Sequence, residues 1–412
     1  VAVALAATGL AACSSAAAGS TVTLSYYNEP DSSPATQDAA NSCSAASNGA
    51  YKINYIKLPS SADQQRQQLV RRLAAHDKSI DIMGLDVTWE AEFSQAGWIV
   101  PWTGAAAQQV ESDTLPGPLS TAEWNGRLVA VPQSSNTELL WYRSDLVPNP
   151  PQTWTEMIAD AEQLAKQGKP HYIEIQGAQY EGLTVWFNSL VASAGGSVLT
   201  PDSKAPSMGQ PALVAMQTMK QLATSAAADP SLSVQQEDQN RLAMEEGTAA
   251  FEINYPFVYP SMKSDKPNLF KVFKWTTYPT VTPGTTSHPT IGGIDLTVSS
   301  YSRHQALAMQ AVLCLRDSAS QLEAAIKGGL PPTLKSPYEN PTPDFVAQYP
   351  FYQDILQQLT NASVRPKTPE YQAVSIYISH TLSPPRGISP NSNLKALTSQ
   401  IRDALAQKGL IP

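Results

Sequence analysis

The 412-residue chain is poor in charge, histidine and cysteine. Only 15% of its residues are Asp, Glu, Lys or Arg, and the formal net charge is -8. No run of Lys or Arg interrupts that acidic balance, which argues against nucleic acid as a partner, because nothing is available to neutralise a phosphate backbone. The five histidines are scattered without a ligand-like pair. No G-x-S-x-G, H-E-x-x-H, phosphate-binding loop or Cys/His metal spacing occurs either. Several enzyme chemistries are thereby removed, and no cofactor or metal is expected; a glycoside hydrolase or transglycosylase working with a pair of carboxyl groups stays open. A repeat of solenoid length is missing as well, and glycine and proline are spread along the chain. What is present is an ordinary globular composition, long enough for two domains of ~100 to 200 residues.

No apolar stretch approaches the roughly 20 residues of a membrane-spanning helix. Residues 1–12, VAVALAATGLAA, read as the end of a secretory signal. They run into LAAC, Leu10 to Cys13, and the tether SSAAAGS. The pattern resembles a lipobox, so lipidation of Cys13 and anchoring at the extracytoplasmic face of the cell membrane are expected; the alternative is a core cysteine after an Ala-rich helix. Cys43 and Cys314 would bridge in an oxidising compartment or stay as buried thiols, since their separation in space is not readable from sequence.

From Thr21 onward strand and helix patterns alternate. TVTLSYYN (21–28), YKINYIKLP (51–59) and SIDIMGLD (79–86) have β-branched and aromatic content, and ADQQRQQLVRRLAAH (62–76) spaces Leu69 and Leu73 on one helix face. This order predicts a largely parallel sheet with ligand loops at the carboxyl ends of its strands, where Asn28, Glu29 and Asp86 fall. RLVAVPQSSNTELLWYRSDL (127–146) reads as strand, Pro132, polar turn, strand. Helices are expected over 153–168, with Thr153 as cap, over 182–196 and over 211–226, with a strand at 172–177. IGGIDLTVSS (291–300) returns to a strand, 304–329 is helical with a break near Asp317, and helices fill most of 344–382 and 391–409. Crossings between lobes are expected near Pro132, Gly292–Gly293 and Pro331–Pro332. They divide the chain into 1–20 as signal remnant, lipobox and tether, 21–131 plus 292–332 as one α/β lobe, and 132–291 plus 333–412 as the other.

Within that frame EEGTAAFEINYPFVYPSMK (245–263) is a helix end at Gly247, a strand, and an aromatic crowd behind it. A lipobox, two interleaved α/β lobes and this segment together resemble the large solute-binding proteins of carbohydrate ABC importers, over essentially everything after residue 20. GLDVTWEAEFSQAGW (84–98), SSNTELLWYR (134–143) and PPRGISP (384–390) look closest to the trehalose-binding lipoproteins of actinobacterial importers. The resemblance implies a two-lobe periplasmic-binding-protein-like fold of α/β class, hinged by several chain crossings. It also implies a neutral disaccharide, trehalose by preference, in the cleft, and a monomer that hands it to permease subunits served by an ATPase.

A sugar ring offers flat C–H faces, for which an aromatic face is the natural partner. Tyr255, at the strand end where the family often carries Trp, is the expected stacking residue, whereas Phe251 reads as core and Phe257 and Tyr259 stay open between the two roles. Vicinal hydroxyls call for groups that accept or donate in pairs. Asn28, Glu29, Asp86, Asn136, Glu237 and Arg386 are the candidates. Asp86 equally suits a helix cap, Asn136 a turn, and Glu237 a solvated helix start next to Asp238. Arg386, between Pro385 and Gly387, is the strongest expectation. The resemblance further implies that the backbone of Gly292 and Gly293 approaches the ligand, the alternative being a hinge turn without contact. Asp295 suits a ligand bond or the hinge alone, and Tyr180, Glu181 and Trp186 are further lining candidates, Trp186 more often being core.

Overall fold

In the computed structural model residues 21–30 and 33–408 are described; the candidate lipidation site Cys13 lies outside them. The strands, in chain order, are β1 (Val22–Asn28), β2 (Tyr51–Lys57), β3 (Ile82–Asp86), the ribbon β4 (Glu123–Trp124) and β5 (Arg127–Leu128), β6 (Val131–Asn136), β7 (Leu139–Arg143), β8 (Tyr172–Glu174), β9 (Ala249–Asn254), β10 (Phe273–Thr276) and β11 (Gly292–Val298). They build two main sheets, ordered β2-β1-β3-β11-β6 and β10-β7-β9-β8. Each sheet is the centre of one lobe.

The first sheet is parallel only through β2, β1 and β3; β11 runs antiparallel to both β3 and β6. This corrects the expectation of a largely parallel sheet. β11 enters from the other lobe instead of through a helical crossover, so nothing constrains it to the parallel direction. The second sheet is mixed, with β8 parallel to β9 and the other pairs antiparallel.

Alternation along the strands sends side chains into cores on both faces of each sheet. Leu24, Ile53, Ile82, Leu296 and Val298 pack on one side of the first sheet, and Tyr27, Leu69, Leu73, Met83 and Phe93 on the other. In the second lobe Phe251 and Ile253 face Trp186, Phe187 and Leu190, while Leu139, Trp141 and Ala249 face Phe273, Phe345 and Phe351. Helix ends follow local chemistry. Thr153 and Glu156 form a reciprocal capping box, and Asp317 accepts from Ser320 N where the helix Ser318–Gly328 starts after the break. Gly247 closes the helix Glu237–Glu246 in the left-handed conformation.

Among the described residues three chain crossings join the lobes. Pro132 lies inside β6, paired with Asp295, so the first crossing comes later than expected, at Thr137–Glu138 between β6 and β7. The chain returns between β10 and β11. It leaves again beyond the helix Gln305–Leu315, with Leu334 still bridged to Thr114. Cys43 and Cys314 are joined in a disulfide with Cα atoms 5.8 Å apart, tying the helix Ala35–Ala46 to Gln305–Leu315 within the first lobe.

Candidate functional site

A cleft of about 620 Å³ lies between the lobes, lined by residues of both. The volume falls in the usual range for small-molecule sites. The first lobe contributes the carboxyl ends of β1 and β3, with Asn28, Glu29 and Asp86, together with Asn136, Gly292 and Gly293 where β6 and β11 approach the hinge. The second contributes Tyr255 at the end of β9 and the starts of two helices, Tyr180–Glu181 and Gln236–Glu237. Strand ends and helix starts converge here because the sheets are joined end to end by the crossings.

Asn28 is held from both sides. Its Nδ2 donates to the Tyr26 hydroxyl at 2.6 Å and to Gln133 Oε1 at 3.3 Å. Its Oδ1 has no protein partner and lies over Gly84, where an added Cβ would stand 2.0 Å away. Gly293 also has no room for a side chain. Its φ is +137°, and a Cβ would come 2.3 Å from Ser134 O. The backbone of β11 therefore lies open to the cleft beside Asn136, whose Oδ1 is also unpartnered.

The charged centre is a group that crosses the lobes. Arg365, 4% exposed, donates through Nη1 to Glu181 Oε1 at 2.6 Å and through Nη2 to Asp86 Oδ1 at 3.1 Å. Burial opposes its charge, but Asp86, Tyr371 and Glu181 outweigh it and hold the guanidinium firmly protonated. Burial likewise pushes the Glu181 carboxyl up, against the pull of Arg365; the Tyr371 and Ser375 hydroxyls bond the same carboxylate. Asp86 Oδ1 also accepts from Thr88 N at 3.0 Å and Thr88 Oγ1 at 2.8 Å. Asp86 therefore closes the turn that precedes the helix Glu90–Gln95 and does not cap the helix, whose N-cap is Trp89 without a side-chain bond, which corrects the helix-cap expectation.

Tyr255 is half-buried, and burial together with the Glu138 and Glu237 carboxyls raises its phenol well above the usual range. Glu237 is raised chiefly by burial. Glu138, in the crossing between β6 and β7, is fully buried with neither oxygen hydrogen-bonded, and burial and Glu237 push it up to about 8.

Eight of the expected contact residues, Asn28, Glu29, Asp86, Asn136, Glu237, Tyr255, Gly292 and Gly293, line this cleft. Arg386 does not. It sits in the short turn Pro385–Gly387, exposed, with Nε donating to Ala223 O at 3.2 Å in the last turn of the helix Gln210–Thr224. A cation there satisfies a terminal carbonyl and the negative end of the helix, which is the physical reason for this correction. Arg365 supplies the cleft's guanidinium instead. The sequence signal for it, an arginine before Pro366 in a proline-bearing loop, is of the same kind as the one that pointed to Arg386. In the aromatic crowd, Phe251 is core, Phe257 reaches the cleft wall, and Tyr259 packs among Trp141, Phe270, Trp275 and Phe351. Trp186 is core and stacks on Trp154. Tyr180 and Glu181 line the cleft, whereas Asp295 is buried outside its wall, accepting from Thr121 at 3.0 Å. Gln65, Gln133, Gln239 and Gln321 are lining residues without a sequence signal.

The folded chain is similar to T. maritima MalE3 with maltose bound, at a TM-score of 0.84 and 26% identity over 93% of this chain and 99% of that one. It also matches the fold of the GacH receptor of Streptomyces glaucescens, at a TM-score of 0.82 and 21% identity over 94% and 100% of the two chains. By sequence it is 26% identical, over 77% of its length and 76% of the relative's, to a probable ABC transporter-binding protein of Deinococcus radiodurans. The family described as bacterial extracellular solute-binding protein matches residues 45–321. A hinged pair of α/β lobes around a polar cleft, with that match over more than half its length, belongs to the bacterial extracellular solute-binding proteins, which bind solutes outside the cytoplasm and do not transform them.

Proposed function

We propose that this protein is the carbohydrate receptor of an ABC importer, binding a neutral disaccharide, trehalose by preference, between its lobes. Closure on the sugar presents it to the permease subunits, and a partner ATPase drives import; a lipid on Cys13 keeps the receptor at the extracytoplasmic face of the membrane. The observation that carries this reading is the convergence on one cleft of Tyr255 with the polar side chains of Asn28, Glu29, Asp86, Asn136 and Glu237. Vicinal sugar hydroxyls are matched by amides and carboxylates that donate or accept in pairs, while the Tyr255 face covers ring C–H groups.

The names of relatives support the class: one is a probable ABC transporter-binding protein and another was solved with maltose. The choice of trehalose rests on the resemblance carried by GLDVTWEAEFSQAGW and SSNTELLWYR. Isothermal titration of the soluble protein against trehalose, maltose, sucrose and glucose tests both levels, with glucose release followed in parallel. Tight trehalose binding without released glucose is the expected result. Preference for another disaccharide overturns the trehalose assignment alone, and silence towards all of them overturns the carbohydrate reading.

A further inference from the structure

The cleft is lopsided in charge and in hydrogen-bonding sense. Its wall carries five acidic side chains, Glu29, Asp86, Glu181, Glu237 and Asp238, against one cation, Arg365. That cation is already committed to Asp86 and Glu181, and Asp238 is paired with Arg241 at 3.3 Å, so among the described residues the second-lobe carboxylate of the wall without an ion pair is Glu237. Around Glu237, on the second-lobe side, no cation is within hydrogen-bonding reach among the described residues; its neighbours are the Tyr180 hydroxyl, Asp238 and Glu138.

Glu138 makes this more than a patch of surface acids. It is fully buried with both carboxyl oxygens unpartnered. It directly precedes Leu139, which pairs with Asn254 across β7 and β9 and so sets it beside Tyr255, behind the cleft wall, and its charge acts on Glu237, Tyr180 and Tyr278. Three of those four line the cleft. A carboxyl group held there without a donor is costly unless a proton or a cation accompanies it. A neutral hydroxyl brings one donor to such a place, whereas a protonated amine brings three and a charge.

We propose that the second-lobe side of the cleft is a subsite for a protonated amino group on the sugar, with Glu237 as its contacting carboxylate and Glu138 as the buried counter-charge behind it. This rests on the carbohydrate reading above and extends its ligand class from neutral to protonated amino sugars, while sugar phosphates and uronic acids are rejected by the acidic wall. On binding, the ammonium replaces the proton that Glu138 otherwise holds; that proton leaves to solvent, so the charge of the pocket is conserved. Affinity for the amine therefore rises with pH as Glu138 ionises and falls again as the ligand's amine is deprotonated.

The test is titration of the intact protein with trehalose and with each of its monoamino derivatives, near pH 7 and again above the ligand amine's pKa. At least one amino derivative is expected to bind about tenfold more tightly than trehalose near neutral pH and to lose that advantage at high pH. In E237Q and E138Q the ratio of the two affinities falls to about one, with thermal melting of each variant establishing that it is folded. Trehalose binding with no amino derivative preferred overturns the subsite and leaves the carbohydrate reading intact. Binding of neither sugar overturns both. A preference that persists in folded E237Q and E138Q assigns the amine to other groups and overturns the subsite as well.

Discussion

Arg365 of the second lobe meets Asp86 of the first at 3.1 Å, and its other terminal nitrogen holds Glu181 at 2.6 Å. One guanidinium therefore carries both a lobe-to-lobe bond and the neutralisation of a helix-start carboxylate. Two more bonds cross within a few residues of it: Gln372 Nε2 donates to Asp63 Oδ1 at 2.8 Å, and Lys367 Nζ donates to Ser120 O. The segment from Arg365 to Gln372 is where the second lobe grips the first.

Replacing Arg365 by Ala leaves Asp86 and Glu181 without their cation in a largely dehydrated place. Removing one partner of a buried pair costs about 3–5 kcal/mol, so R365A is expected to melt well below the parent and to lose sugar binding. Its counterpart R386A removes only an exposed helix-end contact, worth less than about 1 kcal/mol. R386A is expected to bind as the parent does. Titration and thermal melting of the two variants side by side check the exchange of roles; a binding defect in R386A with normal R365A would reverse it.

Tyr255 separates stacking from hydrogen bonding. Y255A uncovers the ring face it is assigned to shield, about 2 kcal/mol or roughly thirtyfold in Kd. Y255F keeps the face and removes the phenol. If stacking is the main contribution, Y255F retains most of the affinity that Y255A loses, as calorimetry with trehalose measures.

Much of this arrangement is legible in the sequence because it follows from local rules. The alternation in 249–254, Gly247 at a helix end, Thr153 with Glu156, and the break at Asp317 each depend on a few neighbouring residues. Residues at strand ends, Asn28 and Asp86, are found the same way, because loops at the carboxyl ends of strands gather at the cleft. Arg365 is different. Its role depends on Asp86, distant in sequence, and on Glu181, and neither partner leaves a mark near residue 365. Arg386 had equal local credentials and a helix end as its partner. The direction of β11 is set by the lobe it comes from, which no local pattern encodes, and β10, Phe273–Thr276, is too short for its single buried-to-exposed step from Phe273 to Lys274 to mark a strand.

The disulfide between Cys43 and Cys314 closes a span of 271 residues. In the chain-entropy description a loop of that size stabilises the folded state by up to about 5 kcal/mol. The helix carrying Cys43 also supplies Ala35, Thr36 and Ala39 to the cleft wall, and Leu315 follows Cys314 directly. A C43S/C314S variant is therefore expected to unfold at lower denaturant concentration and to bind sugar more weakly at temperatures where it is still folded. Unchanged affinity in the folded variant would confine the bridge to a purely stabilising role.

The buried carboxyls set the direction of the pH dependence. Burial is the first cause of the upward shift in each of Glu138, to about 8, Glu252, to about 8, and Glu174, to about 9, with only Gln235 and Asn254 offering donors to the last two. A carboxyl raised in the folded state binds its proton more tightly there than in the unfolded chain, whose ordinary value is 4.5. Between those values the folded state holds more protons, so the stability these groups contribute is complete below about pH 4.5 and is lost as pH rises through about 8 to 9. Asp145, pulled down by Arg143, works in the opposite sense and only at acid pH, below the ordinary carboxylate value. Urea unfolding at about pH 5.5, 7 and 8.5 should accordingly give midpoints that fall with pH, and E138Q, which carries no titrating proton, should flatten the fall. Midpoints that rise over this window would mean the carboxyls are ionised and compensated by a cation, and E138Q would then destabilise the protein at every pH.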